Sequence, residues 1–401
     1  MTNPWPTTKL GDVIDLFDSQ RIPLNSRQRQ ERQGKFPYYG AQGIIDYIDD
    51  YIFDGRYILV AEDGENLNSK KLPLALFATG KFWVNNHAHI LRGKANIADD
   101  TYLLACLNNA DIKPFVTGAA QPKLSQGNLR LIEIPLPPLP IQQRIAGILS
   151  AYDELIENSQ RRIKLLEAMA RALYREWFVH FRFPGHENHP RVPSPLGEIP
   201  QGWEVKAVAE AFTISGGGTP SRKESAYWEG GTIQWYSPSD LTGAGTMFMD
   251  DSSDHITERG LEQSSARMFP PRSVMLTSRA TIGAIAINTH PACTNQGFIT
   301  CLPNKHVPLY FLFHWLTENV PTFQLMASGA TFKEISRGVF KTIDFLQPPI
   351  ELVEQFEAHA TPLAEQILSL QRQVNNLRRT RDLLLPRLLS GQIDVKTIPY
   401  A

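Results

Sequence analysis

A chain of 401 residues, 42% hydrophobic and 20% charged, is too long for one ordinary core and suits about two to four domains. A formal net charge of −1 excludes a global electrostatic pull on nucleic acid, so any such site must be a local patch. No apolar run is long enough to span a bilayer, MTNPWPTTKLGDV has no charged-then-apolar leader, and Cys106, Cys293 and Cys301 form neither a metal-type spacing nor an even disulfide set, so a reducing, cytoplasmic, membrane-free setting is expected.

Residues 1 to about 130 alternate short β-rich runs (YYGAQGIIDYI, GRYILVAEDG, FWVNNHAHILR) with Gly, Asn and Asp turns, and a helix is expected over Asp99 to Asn108. A proline step, PLPPLP, leads into a helical run whose apolar residues Ile141, Ile145, Ile148, Tyr152, Leu155, Ile163, Leu166, Met169, Leu173 and Trp177 fall mostly at spacings of three and four. FPGHENHPRVPSPLGEIPQG, residues 183–202, reads as a Pro/Gly-rich linker. The first texture then returns in GTIQWYSP, SVMLTSRATIGAIAI and CTNQGFITCL, with a helix expected from Leu309 to Asn319. LQPPI opens a second helical run with Leu352, Phe356, Leu363, Ile367, Leu370, Val374, Leu377, Leu384 and Leu388 in the seam and Arg381 at one seam position. Ser150 and Thr361-Pro362 should divide each run into a short and a long helix, Pro386 should kink or end the second, and Gly391 should stop it.

The two halves echo each other in wording as well as texture. GAAQPKLSQG (118–127) and GATFKEISRG (329–338) share one phrase at an offset of 211, and Ile132-Glu133, Pro137-Pro138-Leu139 and Gln160-Arg161 keep that offset with Ile343-Asp344, Pro348-Pro349-Ile350 and Gln371-Arg372. Trp5, Leu10 and Asp12 match Trp203, Val208 and Glu210 at an offset of 198, so the second unit carries a net insertion. Ordered landmarks at a steady offset indicate an internal repeat. Five segments are expected: globular units at 1–135 and 203–346, helical regions at 136–182 and 347–401, and the linker at 183–202.

Reaction chemistry finds no home in these motifs. There is no G-x-x-x-x-G-K-[ST] phosphate loop, no G-x-G-x-x-G, no H-E-x-x-H and no H-x-E paired with P-C-x-x-C. The Asn/Asp-Pro-Pro-aromatic tetrapeptide of DNA amino-methyltransferases is also missing. Ser215-Gly-Gly-Gly-Thr-Pro220 reads as a flexible turn, and Glu62-Asp63-Gly64-Glu65-Asn66 as a turn rather than a carboxylate pair. His186-x-x-His189 and His87-x-His89 lack the further ligands a metal needs, so neither a metal nor a cofactor is expected.

Nucleic acid has better support. SQRIPLNSRQRQERQGKFPYY, residues 19–39, sets Arg21, Arg27, Arg29, Arg32 and Lys35 against the single acid Glu31 and ends in Tyr38-Tyr39. The corresponding stretch of the second unit supplies Arg222, Lys223, Tyr227, Trp228, Gln234, Trp235 and Tyr236, and Arg279 follows in TSRATIG. Arginine and amide side chains carry the paired donors and acceptors that match base edges, each good bidentate contact discriminating by about 1–3 kcal/mol. Solvated charge runs with core aromatics would look the same locally; their recurrence at corresponding places in both units favours DNA. The contact candidates are Arg21, Arg27, Arg29, Arg32, Lys35 and Tyr38, then Arg222, Lys223, Tyr227, Gln234, Trp235, Tyr236 and Arg279.

Taken in order, GKFPYYGA (34–41), LVAEDG (59–64), SGGGTP (215–220), WYSPSD (235–240), LTSRATIG (276–283) and the two Pro-Pro-Leu/Ile helix openings resemble the specificity subunit of type I restriction-modification enzymes over nearly the whole chain. The resemblance implies an α+β fold: two α/β target-recognition domains separated by a two-helix antiparallel coiled coil, related by a pseudo-twofold repeat. It implies a non-catalytic subunit that reads a split sequence in double-stranded DNA. Its partners would be two methyltransferase subunits, which bring S-adenosylmethionine, and ATP-dependent restriction subunits. The second helical run has Leu-Val-Glu-Gln where the first has Ile-Gln-Gln-Arg (141–144), which sets apart the two partner-facing ends. A helix of about 30 residues spans roughly 45 Å, or about 13 base pairs, so half-sites about a helical turn apart are expected. A coiled-coil scaffold carrying two peptide- or protein-binding domains is the alternative, and an enzyme with an unrecognised site a third reading.

Overall fold

The computed structural model describes residues 5–118, 120–329 and 333–397; Ala119, Ala330, Thr331 and Phe332 of the repeated phrase lie outside the described residues. The chain forms two compact units, Met1–Glu157 with Asn376–Ala401, and Asn158–Asn375.

In the first unit, β1 (Thr7–Lys9), β2 (Ile14–Leu16), β3 (Gln33–Gly40), β4 (Gly43–Ile48), β5 (Phe53–Ala61), β6 (Ala75–Val84), β7 (Ala88–Gly93) and β8 (Glu133–Pro135) are the strands. Six of them form one sheet in the order β2-β7-β5-β6-β3-β4, antiparallel except where β3 meets β6. Alternation along β5 sends Ile58 and Val60 to one face, where Tyr102, Leu103 and Leu107 of the helix Asp100–Asn109 cover them. Leu59 points to the other face with Phe53, Phe82 and Ile90. Asp99 caps that helix by accepting the Thr101 and Tyr102 N–H groups.

The second unit opens with a feature the linker reading missed. Residues 183–202 hold a hairpin of β9 (Arg191–Ser194) and β10 (Gly197–Pro200), and Phe183 and Ile199 are buried with Trp203 in the main core. Two apolar anchors are enough to hold a Pro/Gly-rich segment against the domain. Then follow β11 (Glu204–Ala207), β12 (Thr213–Gly216), β13 (Ile233–Tyr236), β14 (Phe248–Met249), β15 (Asp254–Ile256), β16 (Val274–Thr277), β17 (Ile285–Asn288), β18 (Ala292–Thr294), β19 (Phe298–Leu302) and β20 (Asp344–Gln347). They form a five-stranded sheet, β12-β19-β16-β17-β14, and a three-stranded one, β15-β13-β18.

The same frame closes both units. β1 pairs antiparallel with β8, matching Lys9 to Glu133, and β11 with β20, matching Ala207 to Asp344. These are the offsets of 198 and 211 read from the sequence. Each closing strand runs straight into a long helix, Leu139–Tyr174 or Ile350–Leu389.

Both long helices run unbroken, for 36 and 40 residues, past Ser150 and through Thr361-Pro362 and Pro386. The expected division into short and long pieces is therefore wrong. Proline removes one backbone hydrogen bond, but Phe356, Ala360, Ala364, Ile367 and Leu368 around Pro362 are buried, and packing of that face outweighs the local loss. Gly391 does stop the second helix, in the left-handed region at φ 68° with its N–H on the Leu388 carbonyl. The first helix runs on into a π turn, Arg175–Val179.

In the first unit Ile141, Ile145 and Leu149 pack with Leu384, Leu385, Leu388 and Leu389. In the second, Leu166, Ala170 and Tyr174 pack with Phe356, Ala360, Ala364 and Ile367. Within each unit, therefore, the start of one long helix packs antiparallel against the end of the other. Leu155 and Met169, placed in the seam by spacing, are 49% and 57% exposed, and their neighbours Ile156 and Ala170 are buried instead. Arg381 keeps its seam position because Asp153 accepts its guanidinium at 2.6 Å.

Candidate nucleic-acid interface

The basic stretch of the first unit is fastened down by the side chains that give it its character. Asn25 and Gln28 form a reciprocal capping box that starts the helix Ser26–Glu31. Leu24 N–H donates to the Tyr38 hydroxyl at 2.8 Å, and Trp83 Nε1 donates to the Ile22 carbonyl at 2.6 Å. Arg29 donates to Asp46 at 3.0 Å and to the Leu24 carbonyl at 2.8 Å, with its guanidinium 5.3 Å from the Tyr38 ring centre. Hydrogen bonds from Gln33, from the Tyr47 N–H and from Arg29 hold the Asp46 carboxyl below its ordinary range. Arg32 lies 5.0 Å over the Trp83 ring and pairs with Asp49 at 2.9 Å.

Arg21 is an internal tie. Its Nη1 donates to Glu62 at 2.7 Å and to the Ala88 carbonyl at 2.8 Å. Asp18 meets His89 Nδ1 at 2.6 Å, His89 Nε2 faces the Leu124 carbonyl at 2.8 Å, and Lys123 reaches Glu62 at 3.2 Å. Burial alone would raise the Asp18 carboxyl, but the bonds from His89 and the Ile90 N–H and the charges of His89 and Arg21 hold it below its ordinary range. Asp18, Glu62 and His89 come within 4.8 Å of one another as metal ligands would, yet Arg21, Lys123 and the Leu124 carbonyl already engage their polar atoms. The arrangement is an ion-pair network.

Of the first unit's candidates, Tyr38 is fully buried and cannot reach a base, because it packs with Ile48, Trp83 and Leu24 and lies under the Arg29 guanidinium. Arg21, Arg29 and Arg32 are committed to acids of their own unit. Arg27, with an 88% exposed side chain paired to Glu31, and exposed Lys35 face solvent, as does Gln30. Sequence reasoning missed Ile44, Ile45 and Tyr47 of the edge strand β4, which are 46%, 53% and 50% exposed. The signal was there: in GIIDYI apolar residues occupy both faces of one strand.

In the second unit, Arg222 stacks 3.6 Å over Trp228 and 5.2 Å from the Trp235 ring, and pairs with Asp254. Lys223 is exposed, and Tyr227 is half-buried with its carbonyl accepting the Thr257 N–H. Gln234, Trp235 and Tyr236 are corrections. β13 is the central strand of its sheet, both its edges are paired, and all three side chains are buried. Gln234 donates to the Asp250 carbonyl and accepts from the Tyr236 hydroxyl at 2.8 Å, while Trp235 Nε1 donates to the Gly218 carbonyl at 2.9 Å. Burial raises the Tyr236 phenol well above its ordinary value.

The triple glycine is no flexible turn either. A Cβ at Gly217 would meet the Asn295 and Thr294 carbonyl oxygens, and one at Gly218 the Ser265 carbonyl, so the run serves close backbone packing.

The repeated phrase builds one device twice. Thr117 bridges Lys123 and Lys123 bridges Asp63; likewise Ser328 bridges Glu334 and Glu334 bridges Arg279. Leu124 N–H donates to the Glu62 carbonyl at 2.7 Å, and Ile335 N–H to the Ser278 carbonyl at 3.0 Å. Ser125 and Ser336 then cap the helices Gln126–Leu131 and Arg337–Lys341. Each copy pins the loop that follows the central strand β5 or β16, and in the second unit this presents exposed Arg279, 3.9 Å from Glu334. The charges at the bridge are reversed between the copies, Asp63 with Lys123 against Arg279 with Glu334.

Comparison with known proteins agrees with this duplicated frame. The family model described as type I restriction modification DNA specificity domain matches twice, at residues 2–168 and 200–359. The MjaIX specificity subunit of Methanocaldococcus jannaschii is 28% identical over 72% of this chain and 66% of its own length. A putative specificity subunit of Haemophilus influenzae is 37% identical over 36% of this chain and 37% of its own length. The HindI specificity subunit of the same organism is 22% identical over 98% of this chain and 95% of its own. The chain thus spans less than two thirds of the first two relatives, and nearly all of the third. The crystal structure of a type I restriction-modification S subunit from M. genitalium shares the fold, with a TM-score of 0.64 at 16% identity and 96% of each chain covered. With two matched domains spanning most of its length, each rebuilt on the same closing strands and pinned loop, the chain belongs to the type I restriction-modification specificity subunits.

Proposed function

We propose that this chain is the sequence-reading, non-catalytic subunit of a type I restriction-modification complex, each unit reading one half of a bipartite, asymmetric target in double-stranded DNA. The observation that carries this is the duplicated frame displaying different exposed side chains. Arg27, Gln30 and Lys35 stand out on the first unit, and Arg222, Lys223 and Arg279 on the second. A shared frame with unlike readers suits a target whose halves differ. Arginine and amide groups read base edges, and lysines anchor phosphates. In this reading Tyr38, Gln234, Trp235 and Tyr236 shape the scaffold, while Arg21, Arg29 and Arg32 position their loops.

Two methyltransferase subunits dock along the long helices and supply the methylation chemistry, and ATP-dependent restriction subunits supply cleavage. The unlike openings Ile141-Gln-Gln-Arg144 and Leu352-Val-Glu-Gln355 make the two docking ends inequivalent. Exchanging residues 1–135 for those of a relative and mapping methylated sites in host DNA tests the modular reading. One half-site should change and the other persist; a change in both halves overturns it. Duplex binding that is insensitive to salt would favour a protein-binding scaffold instead.

A further inference from the structure

The second unit contains a cavity of about 440 Å³ between the helix Leu309–Glu318 and the two long helices, within the range of small-ligand sites. Ala170, Ala360, Ala364, Ile367, Met247 and Phe313 make its walls apolar, and Lys164, Glu167 and Arg171 also line it. One polar side chain does not fit such a lining. His314 is 4% exposed, and neither of its ring nitrogens has a hydrogen-bond partner among the described residues. Its ring stacks at 5.7 Å on Tyr174 and lies edge-on to Phe313 and Phe356, so its neighbours are aromatic. Burial, helped by the charge of Arg171, pulls its pKa down to about 4, leaving a neutral ring with one donor and one acceptor. Arg171 itself is engaged by Glu318 at 2.6 Å.

The first unit has a cavity of about 590 Å³ lined from the corresponding helix, Asp100–Asn109, and from both long helices. Counting from the two helix starts, Ala105 stands where His314 does, and the ion pair of Arg381 with Asp153 lies in its lining. Duplication made two cavities, and only the second holds a buried imidazole.

We propose that the second unit's cavity binds an uncharged, ring-bearing molecule with a hydroxyl edge, phenol-sized, which hydrogen-bonds to His314. Apolar walls select the ring. A neutral donor–acceptor nitrogen pair selects a hydroxyl, because the uncharged imidazole itself offers an anion no compensating charge, and a purely apolar ring would leave the nitrogens unmet.

The test is calorimetric titration of the full chain with 4-methylphenol and with toluene, the same shape without the hydroxyl, alongside NMR of the His314 ring. Expected results are millimolar or tighter binding of 4-methylphenol, a shift of the His314 nitrogen signals, and toluene at least about tenfold weaker. His314→Leu should abolish that preference and should not lower the melting temperature, since it removes an unmet polar group. N-acetyltyrosinamide separates the sources of the ring. Comparable binding supports a tyrosine of a protein segment, and exclusion supports a free small molecule. Equal affinity for 4-methylphenol and toluene, no binding of either, or equal 4-methylphenol affinity in His314→Leu overturns the proposal. The toluene comparison decides even if the variant fails to fold.

Discussion

Glu357 tests how the second unit is held together. Its Oε1 accepts the N–H groups of Tyr310 and Phe311, each at 2.7 Å. Those groups open the helix Leu309–Glu318, whose N-cap residue Pro308 offers no side-chain acceptor, so a residue from the second long helix caps it across the core. Burial pushes the Glu357 carboxyl up to about 7, against the two N–H bonds, which pull it down. Because the folded pKa lies above the ordinary 4.5, the contribution is fully present below 4.5 and is lost as pH rises through about 7. That gap corresponds to about 3 kcal/mol. Glu357→Gln keeps an acceptor oxygen and removes the titration. Urea unfolding followed by tryptophan fluorescence reports mainly on this unit, which holds Trp177, Trp203, Trp228, Trp235 and Trp315. Measured at pH 4.5, 6 and 8, the variant should gain on the wild type by about 3 kcal/mol over that span. A constant difference, or one moving in the wild type's favour as pH rises, would refute the dominance of burial over the helix N-terminus. Glu357→Ala, which strands two buried N–H groups, should cost roughly 2–6 kcal/mol below pH 4.5, where the wild-type carboxyl is protonated, and about 3 kcal/mol less than that by pH 8.

Other positions give sharp contrasts. Gly217→Ala should destabilise by more than about 2 kcal/mol, because its Cβ meets backbone oxygens that cannot move aside. Gly216→Ala, which meets only the tip of Arg337, should cost clearly less, and chemical denaturation compares the two. Lys223→Ala should weaken duplex binding alike across sequences and lower the slope of log K against log salt by about 1, whereas Arg27→Ala should relax preference in one half-site if it reads a base. Arg21→Ala should lower stability and leave that salt slope unchanged, since its partners are Glu62, Ala88 and Asp18. Acidification should loosen the same loop. The Asp18 carboxyl sits below its ordinary range, so its contribution is present above the ordinary carboxylate pKa and is lost as pH falls through the lower folded value; hydrogen exchange at Ile90 and Arg21 reads this.

The sequence by itself determined the duplication, the chain order of elements and the apolar periodicity of the long helices, because each is written in local spacing. Trp203 aligned with Trp5, the shared Gly-Ala phrase and the two proline steps required no knowledge of folding partners. Only the tertiary structure decided which side chains remained outside. Tyr38, Trp235 and Tyr236 look like reader aromatics in a basic loop, yet the fold packs Tyr38 with Ile48 and Trp83, Trp235 with Ile256 and Cys293, and Tyr236 with Met275 and Phe298. Arg21 found Glu62 and the Ala88 carbonyl, Arg29 found Asp46, and pairing across the fold turned half of a cationic stretch into fasteners. The same holds for the helix that ran through Pro362 and for the cavity around His314. Propensity and spacing act over a few residues, whereas burial and charge compensation depend on which distant segments meet, and those terms outweigh local preference wherever the two compete.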